Sequence, residues 1–385
     1  MSMSIWLMML VLLGADPAGP RVSTVTSAVP FPRGLAVVDG ELHVLARGRV
    51  RGQGGADATL DDRAGTIFVV DPDADPATNV RVVAEPGPPM RLLRRDAIPA
   101  TLDAETDRPY CTLRWHEATR SFYICAFSGI DKADVGDGTG DFRKNATDAV
   151  LRFDTRTGRW YELDRHEPGR PYPMGGGRGL LKGPDNLLVV GDTLYVAAKD
   201  NHLVAAYDLS PLIDDPEATV GPGRVVLGRD VPTVGGPATP ALGPSGLASD
   251  GTHLFVAYRT SGEILRLPLD DLPAPATVLA RFPAWDQATG VSADLTDLSL
   301  GPDGHLYAVT AQPAKIHRVP TEPAAELPAF ERPWFDLAAA VGRPRLKAEN
   351  LLVDASGRVL VTTGDAYNRS DGLAGTVYMI ENGHP

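Results

Sequence analysis

Apolar and polar positions along this chain fall into one unit that recurs. A short apolar run meets a turn built on Gly or Asp, and a second apolar run follows. The unit reads Gly34-Leu35-Ala36-Val37-Val38-Asp39-Gly40-Glu41-Leu42-His43-Val44 and returns at Asn186–Val196, Gly246–Val256, Asp297–Val309 and Asn350–Val361, with a weaker copy at Thr112–Ile124. Two apolar runs around a Gly/Asp turn predict a β-hairpin. A further strand follows each copy: Thr66–Asp71, Ala149–Asp154, Leu203–Asp208, Ile264–Leu267, Lys315–Val319 and Thr376–Ile380. A fourth strand follows in five copies, among them Val80–Val83, Trp160–Leu163 and Arg224–Leu227. The sixth copy lacks one, and Ser23–Val29 is a strand-like segment with no partner in its own copy. Equivalent units in an array set the fold. The expectation is an all-β, six-bladed β-propeller of four-stranded antiparallel blades over residues 21–385. The N-terminal strand is expected to close the last blade, which removes the free edges of an open array.

Composition agrees. The 40 Gly and 34 Pro among 385 residues suit an all-β fold rich in turns. Only short segments such as Trp334–Val341 look helical. A net charge of −12 argues against nucleic acid and anionic membrane as partners. It leaves a small-molecule substrate or ligand as the partner expected. The apolar run Ile5–Leu13 is too short to span a bilayer, and small residues Gly14, Ala15, Ala18 and Gly19 follow it. Residues 1–20 therefore read as a signal peptide, with a secreted or periplasmic protein as the expectation, although no Lys or Arg precedes the run.

Loop lengths divide the two ends of the toroid. Turns between first and second strands are tight, as at Asp39-Gly40, Gly191-Asp192, Asp250-Gly251, Asp303-Gly304 and Ser356-Gly357. The opposite face carries the insertions 47–65, 84–110, 128–148, 166–184 and 230–244. Function concentrates where loops are elaborated, so the site is expected on that face.

At its mouth, six residues that precede the repeated apolar pair ring the channel: Arg33, Cys111, Asp185, Ser245, Thr296 and Glu349. Next to them stand Gly34, Thr112, Asn186, Gly246, Asp297 and Asn350. Strand alternation points the two sets in opposite directions. Asp185, Asn186, Asp297, Glu349 and Asn350 bring three carboxylates and two amides toward one axis, a donor set that suits a hard cation such as Ca²⁺. Carboxylates this close need a cation or a basic partner, and Arg33 offers a solution without a metal. Arg33, Cys111, Ser245 and Thr296 complete the ring as substrate-contacting positions.

On these residues the chain resembles the six-bladed lactonases and aryl-esterases related to paraoxonase and to the senescence-marker gluconolactonases. Gly183-Pro184-Asp185-Asn186-Leu187-Leu188-Val189-Val190-Gly191 looks like the Asp-Asn-apolar pattern of that superfamily. Pro244-Ser245-Gly246-Leu247 is similar to its Asn-Gly-apolar pattern, with Ser for Asn, and Thr296-Asp297-Leu298 to its Asn-Asp-apolar pattern, with Thr for Asn. Glu349-Asn350-Leu351 looks like the Glu-Asp-apolar pattern, but stands in the last blade where the family has it in the first; Arg33 takes the first-blade position here. The resemblance implies a calcium-dependent hydrolase of a lactone or ester with its metal at the mouth. A non-catalytic propeller of the NHL-repeat kind, binding a ligand or protein on the same face, is the alternative. A lyase of strictosidine-synthase type rests on fold analogy alone.

Other features add little. His202, in the second-to-third-strand loop of the third blade, is the one histidine placed to act as a base. Met174–Gly179 is Gly-rich but lacks the ending of a phosphate loop, and Asp134–Asp141 lacks the EF-hand pattern. Asn145-Ala146-Thr147 is a glycosylation sequon. No Gly-x-Ser-x-Gly elbow occurs. Cys111 and Cys125 flank the hairpin of the second blade, and bridging them requires a one-residue shift in strand register.

Overall fold

The computed structural model describes residues 19–46, 65–85, 110–126, 149–165, 181–234, 239–240, 243–272, 275–283, 294–324, 332–364 and 375–381. The expected leader, most of the long insertions, Met174–Gly179, Asp134–Asp141 and the sequon lie outside these residues.

Six four-stranded antiparallel sheets form the protein. Their first strands are Pro32–Val38, Tyr110–His116, Pro184–Val190, Pro244–Ser249, Leu295–Leu300 and Ala348–Val353. Each of these touches the first strands of both neighbouring blades, and the last returns to the first, so the array closes into a ring. The chain is a six-bladed β-propeller. Closure is made by Arg21–Thr26, which pairs with Thr376–Glu381 in the register Val22↔Ile380 and Thr24↔Tyr378. The sixth blade thus takes its outer strand from the N-terminal segment, as the unpartnered strand there requires.

Blades pack on both faces, so their inner strands are apolar on both. Ile67–Val70 is buried throughout, as are Leu194–Ala198. The buried side chains form six clusters, one at each seam between adjacent blades. The seam between blades six and one is filled by Val25, Val29, Leu35, Val44, Phe68, Leu360 and Val377, so it is packed like the others.

Turn chemistry holds the hairpins in register. Asp39 and Gly40 both take positive φ, 52° and 83°, the conformation a two-residue hairpin turn needs, and Val38 pairs with Glu41 around them. Two expectations are corrected. The segment read as a helix from 334 to 341 begins with a short strand, Phe335–Asp336, which completes blade five; only Leu337–Ala340 is helical, capped by the Asp336 carboxylate accepting from Ala339 N at 2.9 Å. The stretch 230–244, read as loop, contains a two-stranded ribbon pairing Asp230–Val231 with Thr239–Pro240. Among the described residues no helix is long and apolar enough to cross a membrane.

Candidate functional site

Each first strand breaks register at the same place. The pairing skips a residue between Pro32 and Gly34, Pro184 and Asn186, Pro244 and Gly246, Leu295 and Asp297, and Ala348 and Asn350. In blade two it skips two residues, between Tyr110 and Leu113. The skipped residues are Arg33, Asp185, Ser245, Thr296, Glu349 and the pair Cys111 and Thr112. A β-bulge bends the strand and re-aims the side chain it frees. Six bulges in a ring therefore build the channel mouth. They also correct the simple alternation expected there: in blade three Asp185 and its neighbour Asn186 both reach toward the mouth.

The outer layer is a collar of charge. Arg33 forks between Glu349, which it binds through Nη1, and Asp185, 3.6 Å from Nη2. Lys347 lies 3.0 Å from the other oxygen of Glu349, and Lys199 lies 3.5 Å from Asp185. Arg259 chelates Asp294, with Nη2 2.9 Å from Oδ2, and stands within electrostatic reach of Asp185 and Glu349. Burial disfavours the charged form of Asp185, yet Lys199, Arg33 and Arg259 together hold its carboxyl below the ordinary aspartate value. Burial disfavours the Arg259 guanidinium too, but Asp294, Asp185 and Glu349 raise its pKa.

The inner layer is a hub on Asp297, which is fully buried. Its Oδ1 accepts from Asn186 Nδ2 of blade three at 2.6 Å and from Leu298 N at 2.8 Å. Its Oδ2 accepts from Leu351 N of blade six at 3.0 Å. Arg114 of blade two approaches Oδ1 to 3.5 Å and donates to Asn186 Oδ1 at 3.2 Å. Burial pushes the Asp297 carboxyl upward against Arg114 and these donors. Four blades thus meet on one carboxylate. Gly246 permits the close approach, since a Cβ there would stand 2.7 Å from Leu298 N.

These residues do not fit a calcium centre. Calcium takes six to eight oxygens, whereas the oxygens of Asp185, Glu349 and Asp297 face Arg33, Lys199, Lys347, Arg114 and backbone donors. A divalent ion would sit beside four positive heads. Ser245 donates to Leu295 O at 2.6 Å and Thr296 to Val309 O at 3.4 Å, so both hydroxyls serve the backbone. Asn350 donates to Glu349 O at 2.9 Å. Among the described residues no three or more His, Cys, Asp or Glu side chains are grouped to hold a metal. Cys111 is a buried thiol in the seam between blades two and three, packed among apolar side chains.

His202 is also re-read. Its Nδ1 accepts a hydrogen bond from Gly243 N at 3.1 Å, which places the ring proton on Nε2. Burial, then Arg229, lower its pKa. In this arrangement the Nδ1 lone pair is engaged by backbone and Nε2 carries the proton.

Five groups of the collar and hub are not among the residues the sequence singles out: Lys199, Arg259, Asp294, Lys347 and Arg114. A positional signal for four of them exists. Lys199 and Arg259 each follow the last residue of a second strand, and Lys347 and Asp294 each stand two residues before a ring position. A cavity of about 580 Å³ lies on the tight-turn face instead, at the seam of blades six and one, lined by Val25, Leu42, Asn79, Leu360 and Met379. None of the collar residues borders it.

No family profile matches the chain. No curated protein matches it either. Solved structures do. A protein from Thermus thermophilus described as a glucose dehydrogenase shares 15% identity over 94% of this chain and 100% of its own, with a TM-score of 0.51. The PQQ-bound aldose sugar dehydrogenase of Streptomyces coelicolor shares 14% identity over 95% of this chain and 99% of its own, with a TM-score of 0.50. A gluconolactonase from Xanthomonas campestris shares 14% over 94% and 90%, with a TM-score of 0.49. At these identities the likeness to the first two shows the propeller fold.

Proposed function

We propose that this protein is a small-molecule-binding propeller whose ligand is an organic anion held at the channel mouth. One observation carries the reading: the cations of the mouth are more exposed than the carboxylates they face. The side chains of Lys199, Lys347 and Arg114 are 15%, 16% and 14% exposed, while their partners Asp185, Glu349 and Asp297 are 4%, 3% and 0% exposed. In the collar, four cationic heads (Arg33, Lys199, Arg259, Lys347) face three carboxylates (Asp185, Asp294, Glu349). A molecule entering the mouth therefore meets the Lys199 and Lys347 ammonium groups before it meets Asp185 or Glu349, while Asp294, 24% exposed, is chelated by Arg259. Charge-assisted hydrogen bonds from such groups suit a carboxylate or phosphate.

Hydrolysis of a lactone or ester at the same mouth is the second reading. It is favoured by the same cations, because ring opening develops an oxyanion and releases a carboxylate. The cations here stand where the calcium-dependent reading placed a metal.

Thermal-shift and calorimetric titrations test both. Citrate, phosphate, gluconate and pyrroloquinoline quinone (a tricarboxylate, and the group bound in the Streptomyces coelicolor structure) form the anionic panel, with glucose as the neutral control. At least one anion should raise the melting temperature and glucose should not, because a ligand that binds only the folded state stabilises it. Joint Lys199→Ala and Lys347→Ala substitution should weaken that anion at least tenfold. Stabilisation by Ca²⁺ with loss on chelation would restore the metal centre and overturn this reading. Lactone and ester assays on the same samples decide between binding and turnover.

A further inference from the structure

The bulge of blade two carries one extra residue like the other five, but there Cys125 of the partner strand is skipped as well, and two cysteines stand across one hairpin. Pairing runs from Tyr110↔Ala126 directly to Leu113↔Ile124. Cys111 and Thr112 on one strand therefore both oppose Cys125 on the other. This supplies the register shift that a bridge between the cysteines requires. Opposed residues of an antiparallel pair have Cα atoms about 4.5–5.5 Å apart, inside the range of about 4.4–6.8 Å that a disulfide spans. Both cysteine side chains enter one apolar cluster, with Tyr123, Val150 and Leu187, so they lie on the same face of the sheet. Thr112, the other residue opposite Cys125, directs its hydroxyl to Asp185 O at 2.6 Å. That leaves Cys111 as the bulge residue beside Cys125 in the seam.

We infer that Cys111 and Cys125 form a disulfide that pins the blade-two bulge when the chain folds under oxidising conditions. Both thiols are buried in the folded protein, Cys111 1% and Cys125 0% exposed, so the bond forms before the seam of blades two and three closes. The oxidant is a small-molecule disulfide. One cysteine thiolate attacks it, expelling a thiolate and leaving a mixed disulfide. The second cysteine thiolate then displaces the remaining half. Two cysteine thiols are oxidised, one external disulfide is reduced to two thiols, and the cysteine protons pass to solvent or to the departing thiolates. The bridge would tether the strand that carries Thr112 and so the backbone contact to Asp185. This inference stands apart from the ligand proposed above.

The full chain, reduced and unfolded, is refolded in a glutathione/glutathione-disulfide buffer poised near the potential at which structural disulfides form. It is then alkylated under denaturing conditions and weighed. The expected product is a monomer about 2 Da lighter than the reduced chain, carrying no alkyl group. Its melting temperature should fall on reduction. Cys111→Ser and Cys125→Ser should each leave one cysteine that is alkylated or glutathionylated, and their melting should not respond to reductant. Two alkylated cysteines, a glutathione adduct on the parent protein, or a disulfide-linked dimer would each overturn the inference. The parent measurement stands even where a variant fails to fold.

Discussion

Removing Arg33 asks the most of the charge arrangement at the mouth. Arg33→Ala deletes the group shared by Asp185 and Glu349, both buried. Removing one partner of a buried ion pair costs about 3–5 kcal/mol when the other charge is left uncompensated. Here Lys199 remains 3.5 Å from Asp185 and Lys347 3.0 Å from Glu349, so the loss falls below that range; about 2–3 kcal/mol is expected. Unfolding entropy of about 2.1 cal/mol/K per residue over 385 residues gives about 0.8 kcal/mol/K. The melting temperature should therefore drop by about 2.5–4 °C at pH 7.

Acid should shrink that deficit, and the sign follows from the carboxyl. In the parent, Asp185 is held below its ordinary value, so its contribution is present above about pH 4 and is lost as the pH falls through the lower folded value. Without Arg33 the Asp185 carboxyl rises, since burial is then opposed chiefly by Lys199 and Arg259. On acidification, protonation relieves the variant before it touches the parent. Scanning calorimetry at pH 7 and pH 4.5 measures both effects, with Arg33→Lys as the companion. Lysine keeps the charge but cannot fork to two carboxylates, so it should recover part of the loss. An unchanged melting temperature for Arg33→Ala, or a deficit equal at both pH values, would refute the charge-pairing account.

Two further outcomes are expected. Deleting Arg21–Thr26 strips blade six of its outer strand and removes Val25 from the seam with blade one; calorimetry should show a drop of more than about 5 °C, well beyond the Arg33 effect, and an unchanged transition would break the closure account. Between pH 7 and pH 5 the parent should lose stability gradually. His43, His116 and His202 all titrate below their ordinary value, chiefly through burial. The unfolded chain thus takes up protons near pH 6.5 before the folded one does, and denaturant midpoints that stay flat over that window would contradict it.

The hairpins were legible in the sequence because their signals are local. Asp39-Gly40 and Gly191-Asp192 declare their turns, and the apolar runs beside them declare the strands. Ring positions were legible because they precede the apolar pair in every copy. Their partners were hidden. Arg33 and Glu349 are 316 residues apart in the chain, and Lys199 and Arg259 enter from the ends of second strands, outside the repeated unit. The bulges were hidden too. Nothing in Pro184-Asp185-Asn186 distinguishes a strand that skips a residue from one that alternates, so Asp185 and Asn186 were expected to face opposite ways. The short strand Phe335–Asp336 is invisible in the sequence because two residues carry no period.

Those bulges explain how one mouth can hold both the closure of the ring and the proposed binding of a ligand. An alternating strand would send only one of each adjacent pair toward the channel. With the bulge, Asp185 reaches Arg33 while its neighbour Asn186 reaches Asp297. The result is two layers with different work. In the inner layer Asp297 takes backbone donors from blades five and six and side chains from blades two and three, so its substitution breaks the ring itself. In the outer layer the charges pair side chain to side chain, and Lys199 and Lys347 keep part of their surface toward solvent. The outer layer can therefore change its charges while the hydrogen bonds that join the blades remain in place.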